Sequence, residues 1–197
     1  MKTKYWLLAM LFFATVSLAG CNNENSQQAQ DYQTRDEEAV ETGADAEEMV
    51  EVTLMNRDGQ QVALARLTEK PAGGVRIVLE GENLPPGEHG FHIHEAGECI
   101  PPDFESAGGH YNPTDKKHGF DHPEGPHAGD LPNITVKEDG TVYAEVDAPM
   151  VTLKKGAPNT LFPEQGTSLM IHADPDDYVS QPAGNSGERI ACGVIGE

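Results

Sequence analysis

Two histidines separated by one residue occur in the stretch GFHIHE at positions 90–95. A β-strand places residues i and i+2 on the same face, so His92 and His94 can point together at one metal ion. Phe91 and Ile93 would then point the other way, toward a buried core. Downstream the chain supplies further candidate ligands, namely His110, His118, His127, Asp130 and His172. An imidazole-rich set with a single carboxylate suits copper and zinc far better than calcium or magnesium.

These candidates divide into two sets. Residues 96–131 form a long segment rich in glycine, proline and histidine, and metal ligation can offset the entropy of ordering such a loop. The loop supplies three nitrogens and one oxygen, the closed tetrahedral set that zinc accepts, from His110, His118, His127 and Asp130. A second ion would receive three nitrogens from His92, His94 and His172. Copper(II) prefers four, and His110 could serve both ions through its two ring nitrogens, although the residues alone do not show such a bridge.

The elements that must position these side chains are short strands. Apolar residues alternate with polar ones in eight segments separated by turn signals, around residues 50–54, 62–67, 75–79, 92–94, 134–136, 142–146, 169–172 and 190–194. Glycine and proline are plentiful, at 21 and 14 residues, which favours short strands and long loops over helices. The pattern predicts an all-β fold, an eight-stranded antiparallel barrel or sandwich.

The first 48 residues differ from the rest. Residues 1–20 resemble an export signal, with Lys2 and Lys4 before an apolar stretch that is too short for a comfortable membrane span. The signal ends in Leu-Ala-Gly before Cys21, like a bacterial lipobox, which predicts a lipidated Cys21 and a membrane-anchored lipoprotein facing the extracellular space or periplasm. A plain secretory signal cut near the same place is the alternative. Residues 21–48 are polar and acidic, which predicts a disordered tether, and residues 49–197 form the folded domain.

Charge and cysteine content narrow the class further. The formal net charge is −20, and near −22 without the signal, so nucleic acid and anionic membrane surfaces are poor partners. An anionic substrate would need a local positive site. Apart from Cys21 the chain has only Cys99 and Cys192, and two cysteines in an exported protein indicate a disulfide, with two free buried thiols as the alternative.

Five motifs, in this order, resemble the copper/zinc superoxide dismutase family, in particular its exported bacterial members. The motifs are GFHIHE at 90–95, GHYNP at 109–113, HAGDL at 127–131, IHAD at 171–174 and GERIACGVIG at 187–196. The resemblance covers nearly all of residues 50–197. It implies a Greek-key β-barrel or sandwich with long metal-binding loops, and one copper and one zinc ion per subunit.

The resemblance also implies roles for individual residues. Copper would be bound by His92, His94, His110 and His172, and zinc by His110, His118, His127 and Asp130, with His110 bridging. Asp176 would hydrogen-bond ligands of both metals, with Asp177 as its rival. Cys99 and Cys192 would form the family's disulfide. Arg189 would dock superoxide, and a Cu(II)/Cu(I) cycle would convert it to dioxygen and hydrogen peroxide, with His110 supplying a proton.

One departure from the family concerns charge. Residues between His172 and Arg189 include several acids and no lysine, where many family members use lysines to steer superoxide. Lys116 and Lys117 are predicted to lie near the mouth of the channel through which, by the family resemblance, superoxide would reach Arg189, and to replace those lysines. His89 and His122 lie outside the motifs and are expected to be solvated surface residues.

Two other function classes compete with the enzyme. One is a copper-binding or copper-delivery module without efficient turnover, against which the intact ligands and Arg189 argue. The other is a structural or adhesive sandwich, against which the long histidine loop argues. The sequence leaves open whether the protein is a homodimer or a monomer.

Overall fold

A computed structural model describes residues 49–196, so the predicted export signal and tether lie outside the described residues. The described chain forms nine β-strands: β1 (Met49–Asn56), β2 (Gln61–Glu69), β3 (Val75–Gly81), β4 (Gly87–His89), β5 (Phe91–His94), β6 (Ile134–Val136), β7 (Val142–Ala148), β8 (Thr167–His172) and β9 (Arg189–Ile195). A single turn of 3₁₀ helix, Glu105–Ala107, lies in the loop after β5. Within residues 49–196 no helix is long and apolar enough to cross a membrane.

Seven strands form one curled antiparallel sheet in the order β5-β8-β9-β1-β2-β3-β7, and β4 pairs with β6 in a second, two-stranded sheet. The predicted all-β antiparallel class is therefore confirmed. Each of the eight predicted strands lies within an observed strand. The ninth, β4, has only three residues and follows two prolines, so it shows no alternation that the sequence could reveal.

The core follows from the period of two. Along β1 the side chains of Val52 and Leu54 are buried while the residues between them are exposed, and β3 repeats the pattern with Ile77 and Leu79. In β5, which lies at one edge of the seven-stranded sheet, all four residues are buried. Phe91 joins the apolar core on one face, as predicted. The histidine face of β5 is buried as well, because the long loop after the strand folds over it.

Candidate metal centre

Two neighbouring strands place the three histidines of the first set. Strands β5 and β8 are antiparallel neighbours in which His92 faces Met170 and His94 faces Ser168. His172 ends β8, and its N–H donates to the carbonyl of Gly90 at 2.8 Å. The ladder therefore fixes the directions of all three imidazoles before any metal is considered.

The loop after β5 returns to the free edge of that strand. Its segments around residues 110 and 129 add to the sheet edge, where the Tyr111 N–H donates to the Ile93 carbonyl and the Ile93 N–H donates to the Gly129 carbonyl, each at 2.8 Å. Single bridges then set His94 beside His110 and His92 beside Asp130. Backbone pairing thus brings two loop ligands next to two strand ligands.

The first cluster consists of His92, His94, His110 and His172, whose potential ligand atoms all lie within 4.8 Å of one another. The Nε2 atoms of His94 and His172 are 3.4 Å apart. Two other nitrogens that point inward, His92 Nδ1 and His110 Nε2, are buried and have no hydrogen-bond partner among the described residues. Buried polar atoms are normally paired, so these orphaned nitrogens fit a site that holds a metal ion.

The second cluster consists of His110, His118, His127 and Asp130. One carboxylate oxygen, Asp130 Oδ1, lies 2.8, 3.1 and 3.3 Å from the Nδ1 atoms of His110, His118 and His127. The His127 contact lacks hydrogen-bond geometry, and that nitrogen is also unpartnered. Zinc–ligand distances of about 2.0–2.1 Å put tetrahedral ligand atoms about 3.3 Å apart, close to this spacing.

His110 belongs to both clusters. Its Nδ1 lies against Asp130, while its unpartnered Nε2 lies on the side of the strand-borne histidines. Its ring centroid is 4.0 Å from that of His92 and 5.6 Å from that of His127. The geometry therefore offers one nitrogen of His110 to each cluster.

Asp176 connects the clusters from behind. Its Oδ2 lies 2.8 Å from His92 Nε2, and its Oδ1 lies 3.0 Å from His118 Nε2. Its rival Asp177 is exposed and accepts hydrogen bonds from the N–H groups of Val179 and Ser180 instead. The structure thus places Asp176, and not Asp177, against both clusters.

The four imidazoles of the first cluster have lowered pKa values. Burial lowers the pKa of His110 to about 4 and that of His172 to about 2, and repulsion from neighbouring imidazoles adds to the effect. Burial also lowers the pKa of His92 and, more strongly, that of His94. Neutral imidazole is the form that binds a metal, so burial prepares these ligands at neutral pH.

His118 behaves in the opposite way. Burial acts to lower its pKa, but hydrogen bonds to Asp130 and Asp176 outweigh it and raise the pKa to about 9. Burial likewise acts to raise the pKa values of both carboxyls, and their histidine partners hold them well below the usual range. The two carboxylates thus favour the protonated form of His118, and a metal ion bound in this cluster would displace that proton.

Arg189 is fixed by carbonyl groups of the long loop. Its Nη1 donates to the Phe104 carbonyl at 2.6 Å, and its Nη2 donates to the Gly108 carbonyl at 2.7 Å. The same Gly108 oxygen lies 3.0 Å from His94 Nδ1. One carbonyl thus links the arginine to a member of the first cluster, and the guanidinium retains further N–H groups for an anion.

The predicted disulfide is confirmed between Cys99 and Cys192, whose Cα atoms are 5.6 Å apart. It joins the long loop to strand β9, and Cys192 packs with Phe104 and Met170 in a small cluster. The bond therefore lies beside the loop segment whose carbonyls hold Arg189.

The prediction that His89 is a solvated surface residue is wrong. His89 is buried, and its ring nitrogens lie 2.8 Å from the His172 carbonyl and 2.7 Å from the Pro85 carbonyl. It occupies strand β4, the element that the alternation did not reveal, and the inward face of that strand was therefore missed. His122 is partly exposed and accepts a hydrogen bond from the Glu124 N–H.

Two amides that the sequence did not single out support the clusters. The Asn133 side chain donates to the Asp176 carbonyl and accepts from the Asp176 N–H. Gln181 does the same for the backbone of His118. An isolated amide in a loop carries no recognisable pattern, so only the fold could show these contacts.

Known proteins resemble this chain in both sequence and fold. The family model described as copper/zinc superoxide dismutase matches residues 62–195. The chain is 57% identical over 143 residues to "Superoxide dismutase [Cu-Zn] 1" of Aquifex aeolicus, covering 72% of this chain and 84% of the relative. It is 40% identical over 190 residues to "Superoxide dismutase-like protein YojM" of Bacillus subtilis, covering 96% and 95% of the two chains. A solved structure of the Cu/Zn superoxide dismutase from Brucella abortus matches with a TM-score of 0.63 at 36% identity, covering 76% of this chain and all of that one.

Proposed function

This chain belongs to the copper/zinc superoxide dismutase family, an oxidoreductase family that uses copper and zinc, and we propose that the two histidine clusters are its metal sites. In this assignment copper is held by His92, His94, His110 and His172. Zinc is held by His110, His118, His127 and Asp130. The observation that carries the assignment is His110, which offers an unpartnered Nε2 to the first cluster and Nδ1 to the second.

Copper, when bound, supplies the one-electron Cu(II)/Cu(I) couple that converts two superoxide ions and two protons into dioxygen and hydrogen peroxide. The chain contributes orientation and protons. His110 Nε2 is the atom at which it would hold a proton for the substrate, because no described protein group occupies that nitrogen. His110 Nδ1 stays directed at the zinc cluster, which keeps the ring in place.

Arg189 would bind the anion. Two of its N–H groups are committed to the carbonyls of Phe104 and Gly108, which fixes the plane of the guanidinium. A fixed guanidinium loses little rotamer entropy when it binds a small anion, and it supplies local positive charge on a chain whose net charge is −20. Its link to His94 through the Gly108 carbonyl would place the anion close to the copper cluster.

The metal sites are tested by comparing His110→Gln with His122→Gln, a histidine of the same loop outside both clusters. We expect the wild-type protein to bind one copper and one zinc and to dismutate superoxide. His110→Gln should lose zinc and most activity, while His122→Gln should match the wild type in metal content and rate. Full zinc content in His110→Gln would refute the shared ligand. A fully loaded wild type without turnover would favour a copper-binding module.

We also propose that the enzyme is an exported lipoprotein, anchored through lipid on Cys21 and acting on the outer side of the membrane. The Cys99–Cys192 disulfide supports export, because disulfides persist in oxidising compartments. Mass spectrometry of the mature N-terminus should find a lipidated Cys21. Cys21→Ser should move activity from the membrane fraction to the soluble fraction, and an unmodified cysteine in the wild type would contradict the anchor.

A further inference from the structure

A shallow depression surrounds Arg189, and its charge is unusual for a site that receives an anion. The residues that line it are Arg57, Asp103, Glu105, Gly187, Glu188 and Arg189. Three carboxylates thus face two guanidinium groups. The depression adjoins the copper cluster, since the Gly187 carbonyl lies 3.4 Å from His172 Nδ1 and Arg189 shares a carbonyl with His94.

The second cation of the depression, Arg57, comes from a distant part of the chain. It lies in the turn between β1 and β2, 132 residues before Arg189. Its Nε donates to the carbonyl of Arg189 at 2.8 Å, and its Nη1 pairs with Glu188 Oε2 at 2.8 Å. The pairing of β1 with β9, through Met55 and Cys192, brings the turn to this position.

Glu188 explains why a second cation would be needed. Its side chain is 76% exposed and directly precedes Arg189 in the chain, so alone it would repel an approaching superoxide ion at the docking position. Charges within about 10 Å of each other are only partly screened at 0.1 M salt. Arg57 is itself 36% exposed, and it offsets the charge of Glu188, so that the depression carries less negative potential than Asp103, Glu105 and Glu188 would otherwise give it.

We propose that Arg57 guides superoxide to Arg189 and takes the part that the sequence assigned to Lys116 and Lys117. Both lysines are exposed, but neither lines this depression. The inference rests on the dismutase activity and adds a substrate-guiding residue to it. Arg57 acts on the approach of the substrate and takes no part in the electron transfer.

The geometry also permits a purely structural role, in which Arg57 only clamps the backbone of Arg189. The conservative variant distinguishes the effect of the positive charge from the effect of the hydrogen bond to the Arg189 backbone. Arg57→Lys keeps the positive charge but loses the planar fork that reaches both the carbonyl and the carboxylate. Arg57→Gln loses the charge. A matched control is Arg66→Gln, which removes an arginine from strand β2 that is similarly exposed (37%) and paired with Glu51 and Glu80.

The experiment measures kcat/KM of the copper- and zinc-loaded variants as a function of ionic strength. At low salt we expect Arg57→Gln to lower kcat/KM by about two- to fivefold, Arg57→Lys to stay near the wild type, and Arg66→Gln to change it by less than about 1.5-fold. The difference should disappear near 1 M salt, where the screening length is about 3 Å. Glu188→Gln should raise kcat/KM at low salt, and Glu51→Gln serves as its control.

Equal effects of Arg57→Gln and Arg66→Gln would overturn the inference, as would a loss in Arg57→Lys as large as that in Arg57→Gln. Copper content and the unfolding midpoint are recorded for each variant, and if Arg57→Gln does not fold, the Glu188→Gln and Glu51→Gln pair decides. Equal rates in that pair would also refute the guidance. A loaded wild type without activity would instead refute the dismutase function, so the two failures are distinguishable.

Discussion

The two metal clusters are built in different ways. The cluster proposed to bind copper takes three of its four members from strands β5 and β8, whereas the cluster proposed to bind zinc takes all four from the loop that follows β5. The pairing of β5 with β8 sets the direction of the strand ligands, because it places His92 opposite Met170 and His94 opposite Ser168. Loop ligands are held by hydrogen bonds to two buried carboxylates, Asp130 and Asp176.

Because the two sets of ligands are held differently, they should respond differently to substitutions. Hydrogen bonds of a sheet are cooperative with the whole domain, so the copper ligands should keep their positions as long as the domain folds. The loop ligands proposed for zinc depend on a few specific side-chain contacts, so a single substitution should be able to displace them while the domain stays folded. Two connections join the regions, the Cys99–Cys192 disulfide and the Asp176 carboxylate. Three variants test how independent the regions are, and a fourth tests whether the loop guides the substrate.

The largest effect should come from removing the disulfide. Replacing Cys99 and Cys192 together by serine opens a closed loop of 93 residues, which should lower the free energy of unfolding by about 4–5 kcal/mol. Denaturant unfolding of the oxidised wild type and the double variant measures the difference. The zinc affinity should also fall, because the loop is no longer tied to β9. A loss below about 1 kcal/mol would show that the loop is held in other ways.

Asp130→Ala should separate the clusters. It removes the oxygen on which three imidazoles converge, and also the acceptor of the Gly119 and His127 N–H groups. Breaking such a buried pair should destabilise the metal-free protein by about 3 kcal/mol and abolish zinc binding.

Copper binding by the strand histidines should survive in Asp130→Ala, as measured by metal analysis after dialysis. Asp121→Ala, an exposed acid of the same loop, is the control and should change neither metal. Loss of both metals in Asp130→Ala would contradict the independence of the copper cluster.

Gly184→Ala tests the carboxylate link. A methyl group at position 184 would overlap Asp176 Oδ1 and lie 2.7 Å from His118 Nε2, so Asp176 would have to move. We expect zinc affinity to fall about 10- to 100-fold, the usual effect of disturbing a group that orients a metal ligand. Gly156→Ala is a matched control, because Gly156 has a similar positive φ (+77° against +66°) but open space around it. Equal zinc affinities in both variants would show that a methyl group at position 184 does not displace Asp176.

The smallest effect should come from replacing Lys116 and Lys117 by glutamine. Both are exposed residues of the zinc-side loop, and their role in steering superoxide stays a prediction. At low ionic strength we expect the double variant to lower kcat/KM by less than about twofold, compared with the larger effect of Arg57→Gln. A larger loss of kcat/KM in the lysine double variant than in Arg57→Gln would indicate that these lysines, and not Arg57, guide superoxide.

The sequence predicted the local part of this architecture well. Alternation placed eight of the nine strands and the two faces of β5, because a period of two is a direct consequence of strand geometry. It failed at β4, where three residues after two prolines show no period, and His89 was therefore assigned to the surface instead of the interior. The choice between Asp176 and Asp177 also stayed open, since the two residues are adjacent and chemically identical.

By itself, the sequence determined the types of the ligands, their order and the face of the strand that carries the first two. Residue type and strand period are local properties. Only the tertiary structure decided that the loop returns to the edge of β5, that Asp176 and Gly184 meet behind the ligands, and that Arg57 reaches Arg189. Those contacts join residues far apart in the chain. They are fixed by the pairing of strands and by steric fit, neither of which leaves a mark on the residues nearby in the sequence.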